Sequence, residues 1–257
     1  MQVYVCAKHV PDTAANIKIK GENDYDTTGL KFVVNPYDEY GLEEAVRLVE
    51  KAGQGEVVIV TIGPAQAANT MRSALAMGAA RGILVKSEGK FLDSRTVAKA
   101  LKAAIEKDGS PDMIFTGKTS VDSEGSQTPY RVAGEFNFPV ANEINALDIK
   151  DGTATAEREI GGGAREVLEM PTPCVIGATK GLNEPRYPKF PDIMKAKKKE
   201  IKELELDELG IDTSASDGAP VKLEPVPERS GAKIMQGGSV RESVEELVKT
   251  LKDNKVL

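Results

Sequence analysis

The sequence has 257 residues, 40% hydrophobic and 29% charged, enough for one large or two small domains with a real core rather than a disordered tail. Its 34 basic and 40 acidic residues, net charge −6, and 5% aromatics without tryptophan argue against a nucleic-acid binder, which needs a cationic surface and stacking rings. Two cysteines, Cys6 and Cys174, and one histidine, His9, are too few for a disulfide framework or a zinc or multi-histidine centre, so no metal is expected and a reducing compartment is.

The chain opens on a strand-like run, Gln2-Val3-Tyr4-Val5-Cys6, with no basic and apolar leader before it. No apolar stretch approaches ~20 residues, so neither a secretory signal nor membrane insertion is expected and the chain reads as soluble and cytoplasmic. Lys31-Phe32-Val33-Val34 is the next strand-like run, after which Asn35 caps a helix with Pro36 in its first turn. Leu42, Ala45, Val46 and Val49 line that helix on one side and Gly53 stops it. Residues 56–62 form a continuous β-branched run, the mark of a strand covered on both faces. A helix carrying Met71, Ala74, Leu75 and Met77 follows and stops at Gly78. Ile83-Leu84-Val85 is a strand, residues 93–107 a helix and residues 113–116 a strand. This βαβα alternation predicts an α/β fold: a mainly parallel open sheet with helices on both faces, Rossmann-like.

Beyond that the pattern changes. Residues 143–160 read as a hairpin around Asp151-Gly152, and residues 175–178 as a further strand. Residues 207–232, rich in Asp, Pro, Gly and Ser, predict an extended arm. The chain ends in a helix with a capping box, Ser239 to Glu242, and one apolar stripe of Val240, Val244, Leu247, Val248 and Leu251. Such a stripe must dock on its own domain or on a partner. The expected division is an α/β domain over 1–206 and an arm with its helix over 207–257.

In an open parallel sheet, ligands sit beyond the carboxyl ends of the strands. Cys6-Ala7-Lys8, Asn35-Pro36, Ile62-Gly63-Pro64 and Gly117-Lys118 all fall there. The last opens a polar loop, Gly117-Lys118-Thr119-Ser120-Val121-Asp122-Ser123-Glu124-Gly125-Ser126-Gln127-Thr128. Its small residues let backbone N–H groups approach a phosphate, with a helix N-terminus near Gln127-Thr128 adding a positive dipole end. An ordinary strand-to-helix loop has the same pattern. Neither a Walker A motif nor GxGxxG occurs.

Lys195-Ala196-Lys197-Lys198-Lys199 is a dense basic run in an acidic chain, either a solvated face or a field that steers an acidic partner. Just upstream, Asn183-Glu184-Pro185-Arg186-Tyr187-Pro188-Lys189-Phe190-Pro191 is held extended by its prolines. Phe190 is then a partner anchor or a core residue; sequence physics leaves both open. His9 reads as a loop residue, the cysteines as core thiols, and no catalytic constellation stands out.

These residues resemble the beta subunit of the electron transfer flavoproteins. The likeness is carried by residues 5–13 (VCAKHVPDT), 35–48 (NPYDEYGLEEAVRL), 63–82 (GPAQAANTMRSALAMGAARG), 117–128 and 183–199 (NEPRYPKFPDIMKAKKK). It implies a heterodimeric electron carrier, not an enzyme, with redox-active FAD mainly in the alpha subunit and AMP in the beta subunit. The resemblance assigns that nucleotide to Cys6, Asn35, Pro36, Tyr37, Asp38, Ile62 and the loop from Gly117 to Thr128. It makes the proline-rich segment a recognition loop for partner dehydrogenases, with Phe190 as anchor and Lys195 and Lys198 flanking it. Glu159 matches a glutamate that helps place the alpha subunit's flavin domain, and electrons pass on to a downstream redox acceptor.

The loop departs from the family's usual D-D-D-x-N-Q-T-G at Ser126 and Pro129. Bifurcating members hold a second FAD in this site; Asp122, Glu124 and Gln127 fit them, whereas Thr128 and the lysine-rich segment favour AMP. A third class, adenylating enzymes that cleave ATP, places a Ser/Gly-rich loop after strand one, and Ala7-Lys8-His9-Val10-Pro11 has no glycine to wrap a pyrophosphate. A pure interaction module would need no phosphate-shaped loop.

Overall fold

The computed structural model describes residues 1–87, 91–213, 220–227, 231–232, 234–236 and 238–257. In chain order it holds β1 (Gln2–Cys6), β2 (His9–Pro11), β3 (Ile19–Lys20), β4 (Asp24–Tyr25), β5 (Phe32–Val34), α1 (Pro36–Ala52), β6 (Glu56–Gly63), α2 (Ala67–Ala76) and β7 (Arg81–Lys86). There follow α3 (Ser94–Glu106), β8 (Met113–Gly117), α4 (Thr128–Phe136), β9 (Val140–Ile144), β10 (Ala146–Lys150), β11 (Thr153–Gly161), β12 (Ala164–Pro171) and β13 (Cys174–Ala178). Last come α5 (Phe190–Ala196), β14 (Ile201–Glu205), a 3-10 turn (Leu206–Leu209) and α6 (Val240–Asp253).

The central sheet has seven strands in the order β14-β7-β6-β1-β8-β13-β9, and every neighbouring pair is parallel. Alternation sends Val3 and Val5 into a core shared with Leu42, Val46, Met71 and Leu75 of α1 and α2. Tyr4 and Cys6, pointing the other way, pack with Leu101, Ile105 and Val132 of α3 and α4. Helices therefore cover both faces, as the β-branched runs predict. From β1 the chain moves outward to β6 and β7, then crosses back to β8 on the other side of β1, so the switch point lies between β1 and β8.

Three local expectations change. Phe32–Val34 does not join the main sheet; it pairs antiparallel with His9–Pro11, and the His9 ring stacks on Phe32 at 4.2 Å. The expected hairpin is a three-stranded antiparallel sheet, β10-β11-β12, because Ala164–Pro171 adds a strand whose polar residues hid it. Asn35 occupies the N-cap of α1, yet its side chain makes no cap bond. Gly53, by contrast, ends α1 at φ 69, the left-handed conformation that glycine adopts without strain.

The chain divides into two compact units, Met1–Val221 and Lys222–Leu257. Leu206 and Leu209 pack on the α3 face of the first, so that unit runs past residue 206. The arm read from the sequence over 207–232 lies partly outside the described residues. In the second unit, Ser239 Oγ accepts from the Glu242 N–H at 3.3 Å and starts α6. Among the described residues no helix is long and apolar enough to cross a membrane.

Candidate nucleotide crevice and docking segment

Asp38, in the first turn of α1, fills the switch point. Its Oδ2 accepts from Lys8 N–H at 2.7 Å beyond the end of β1, and its Oδ1 from Gly117 N–H at 2.8 Å at the end of β8. Asn35 Nδ2 donates to the same carboxylate at 2.9 Å and to Thr119 O at 2.9 Å, while Asn35 Oδ1 accepts from Val121 N–H at 3.0 Å. The side chain that could have capped the helix therefore ties α1 to the polar loop. Asp38 is 5% exposed. Burial pushes its carboxyl up to about 7, against the N–H groups of Lys8, Asn35 and Gly117 that favour its charge. Glycine at 117 is required by this closeness: an added Cβ would stand 2.6 Å from Tyr37 Cβ and collide with Asp38.

The loop continues over the crevice. Lys8 Nζ reaches Asp122 at 2.7 Å and the hydroxyls of Ser120 and Ser123 at 3.4 Å. Burial alone would raise the Asp122 carboxyl, but the Lys8 ammonium, together with hydrogen bonds from the Ser120 hydroxyl and the Ser123 N–H, holds it below its usual value. Lys118 Nζ lies 5.4 Å from the Tyr37 ring centroid and 3.3 Å from Glu143. Glu124 and Ser126 take left-handed φ values of 48 and 51, and Gln127 then returns to the right-handed region at φ −98. Such a reversal points successive N–H groups into one concavity, a common anion receptor. It leads into α4, whose first turn leaves N–H groups without intrahelical partners. A Cβ at Gly125 would meet nothing within 4 Å, so packing within the chain does not demand glycine there. Thr119 Oγ1, and Thr116 Oγ1 on β8, are buried with no partner among the described residues; polar atoms of a ligand or a water would satisfy them. A nucleotide fits this donor set.

Cys6 and Ile62 lie at the carboxyl ends of β1 and β6 on the same edge. Burial, with the Asp38 charge second, pushes the Cys6 thiol far up, and burial lifts Cys174 to about 11; both are inert as nucleophiles. Thr116 was not singled out from the sequence, and Lys8 was placed at the strand ends but given no role. The signal for Lys8 was its place two residues beyond the first strand.

The second region is on the α1–α2 side. Residues 183–189 form neither helix nor strand, Lys189 is extended, and Phe190 is the first residue of α5 rather than part of the loop. Glu43, on α1, has a side chain only 3% exposed. It accepts from the Arg186 backbone N–H at 3.1 Å, from Arg186 Nε at 2.8 Å and Nη2 at 3.1 Å, and from Arg47 Nε at 2.7 Å. Burial alone would raise the Glu43 carboxyl, but these hydrogen bonds hold it below its usual range. Arg186 also grips Glu50 at 2.7 and 3.0 Å. Asn183 Nδ2 donates to Tyr40 O at 3.0 Å and Glu44 at 2.9 Å. At the far end Arg72 Nη1 donates to Ala196 O at 2.8 Å and to Lys199 O, and Lys199 Nζ to Leu75 O at 2.8 Å and Ala79 O at 2.6 Å. Between the two fastenings Phe190 is 75% exposed and Tyr187 96%. Phe190 is not a core residue of this chain. Lys195, in α5 beside Asp192 at 3.8 Å, and Lys198, two residues after that helix, are exposed. Glu159 is exposed near the end of β11, paired in register with Arg165.

A seven-stranded parallel sheet with a polar loop over its switch point defines a Rossmann-like α/β protein. The family profile described as electron transfer flavoprotein domain matches residues 23–209. The chain is 38% identical over 258 residues to the electron transfer flavoprotein subunit beta of Dictyostelium discoideum, covering 100% of this chain and 99% of that one. It is likewise 38% identical over 258 residues to the subunit of Homo sapiens, covering 98% and 97%. With the Arabidopsis thaliana protein, whose name adds "mitochondrial", the identity is 37% over 256 residues, covering 98% of each. This chain belongs to the electron transfer flavoprotein beta-subunit family.

Proposed function

We propose that this chain is the beta half of a heterodimeric electron carrier that takes electrons from flavin dehydrogenases and passes them to a downstream redox acceptor. The observation that carries the reading is Phe190, a large apolar side chain 75% exposed on a segment fastened at both ends. An apolar anchor presented this way suits a desolvated pocket on a partner. Lys195 and Lys198, also exposed, add a positive field that speeds encounter with an acidic surface.

The redox-active FAD, held mainly by the alpha subunit, supplies the electron exchange. What this chain contributes is a structural AMP and two docking surfaces. The AMP phosphate is held by backbone N–H groups of residues 125–128 at the start of α4. Thr119 Oγ1 and Lys8 are polar groups within the same crevice, and Cys6, Asn35, Pro36, Tyr37 and Ile62 border it. Asp38 does not face phosphate as a free carboxylate; it holds the crevice closed behind the loop. Glu159 and the α6 stripe (Val240, Val244, Leu247, Val248), exposed within its own unit, serve the alpha subunit. The buried free thiols of Cys6 and Cys174 agree with a reducing compartment such as the cytoplasm.

A second reading, a bifurcating subunit with a second FAD in this crevice, draws on Asp122, Glu124 and Gln127. Chromatography of cofactors released from the denatured heterodimer separates the two. One FAD and one AMP supports the simple carrier. Two FAD without AMP supports bifurcation, and a stable monomer carrying stoichiometric FAD overturns both.

A further inference from the structure

We propose that Glu43 is a positioning residue for partner docking, acting through Arg186 to fix the segment that presents Phe190. The proposal rests on the docking reading above.

Glu43 is out of place by composition alone. A buried carboxylate is costly unless paired, and an apolar residue facing the segment would have given adhesion without that cost. What a carboxylate adds is direction. Glu43 and Glu50 lie seven apart on one face of α1 and take Arg186 from two sides, Nε and Nη2 to the first and Nη1 and Nη2 to the second. A guanidinium so held has a fixed plane. Its own backbone N–H also binds Glu43 at 3.1 Å, so both the side chain and the main chain of Arg186 are set. Arg47 closes the arrangement, with Nε on Glu43 at 2.7 Å and Nη2 on Glu184 O at 3.4 Å.

Four residues further on stands Phe190. Pro188 and Pro191 restrict the backbone on either side, and Asp192 and Ile193 N–H groups both return to Lys189 O, at 2.9 and 3.1 Å. The orientation set at Arg186 is therefore passed to the anchor with little slack. Because Arg72 and Lys199 fasten the other end on α2, the segment is an arch with two footings and an exposed crown. Holding an anchor in its bound orientation before contact removes part of the ordering cost of association. The acidic run of α1 is thus part of the docking apparatus, and its central member, Glu43, acts from a buried position.

The test uses the intact heterodimer and a flavin dehydrogenase chosen because it reduces the wild-type carrier. Glu43→Gln keeps size and removes the charge. The expected result is a rise of about ten-fold in the KM for the carrier, with kcat and released cofactors unchanged. Amide exchange should quicken over residues 186–195 and stay as it was over residues 117–128 and in α1. Arg186→Lys, which keeps the charge but loses the fork, should give a smaller rise. In a Phe190→Ala background Glu43→Gln should add nothing, since both act through one anchor. Phe190→Ala raising KM while Glu43→Gln leaves it unchanged overturns the positioning role and spares the docking reading. Equal effects of Glu43→Gln in both backgrounds, or faster exchange throughout α1, also overturn it. Phe190→Ala without effect sinks the docking reading and this proposal with it. Should Glu43→Gln fail to fold, Arg186→Lys and Arg186→Gln carry the same comparison, and an unchanged KM in both overturns the proposal.

Discussion

Helix α1 buries two carboxylates less than two turns apart, and their surroundings move them in opposite directions. Asp38 meets backbone N–H groups and one amide, with the charge of Lys8 as a lesser influence, and burial still lifts it to about 7. Glu43 meets two guanidinium groups and stays below its usual value although burial opposes this. At the first site deep burial outweighs the N–H groups, the amide and the more distant Lys8 charge; at the second a smaller burial penalty is overcome by the hydrogen bonds and charges of the two guanidinium groups. The crevice therefore carries an acid able to change charge near neutrality. The segment from Asn183 to Lys199 is fastened at Arg186 by a charge that does not titrate there.

The largest test of this contrast is pH. The folded pKa of Asp38, about 7, exceeds the ~3.9 of an unfolded aspartate. Between those values the folded chain keeps a proton that the unfolded chain has released. The stability this contributes is full at the acid end and is lost as pH rises from about 4 through about 7, on the order of a few kcal/mol. Glu43, with its depressed pKa, works the other way and loses its contribution only as pH falls below the ordinary carboxylate range. Urea midpoints of wild type and Asp38→Asn across pH 4–8 should differ by a curve that flattens above ~7. A constant offset would break the contrast.

Next in size is the loop. Gly125→Val adds bulk where the chain itself leaves open space, so the isolated fold should tolerate it while the bound nucleotide is lost. For a ligand present at ~100 times its dissociation constant, that removes ~2.7 kcal/mol, read as a lower melting temperature together with reduced AMP on chromatography. Unchanged nucleotide content would remove the loop from the site. Phe190→Ala should then cost ~2 kcal/mol of docking, seen in stopped-flow flavin reduction as slower transfer at every ionic strength, with cofactors retained. Transfer at the wild-type rate would leave Phe190 without a role as anchor. Smallest is Lys198→Ala, below ~1 kcal/mol, which should slow association at low salt and vanish as screening sets in. A salt-independent loss would instead make Lys198 a direct contact.

Much of the crevice was legible because strand ends, glycine and helix starts leave local marks. Gly117 follows an apolar strand, residues 118–128 are small and polar, and α4 begins at Thr128 as the pattern predicts. The role of Asp38 was legible only as a position implied by resemblance. Nothing local says that it accepts from Lys8 and Gly117, which lie 30 and 79 residues away. Asn35 shows the same limit. A local reading makes it a helix cap, but a loop 84 residues on competes for its amide and wins.

The sequence by itself determined the layers: β-branched runs make buried parallel strands, amphipathic stripes make covering helices, and Gly53 ends α1 in the conformation its lack of a Cβ allows. It also marked Phe190 as an anchor or a core residue without deciding between them. Tertiary structure excluded the core, because exposure depends on which distant side chains claim the neighbouring surface. Asn183 and Arg186 are drawn onto α1 across 136–143 residues of chain, and Arg72 and Lys199 fasten the other end. Phe190 is left outside. Periodicity records which face of an element is apolar, but a salt bridge between remote elements leaves no period, and only the folded chain brings its partners within reach.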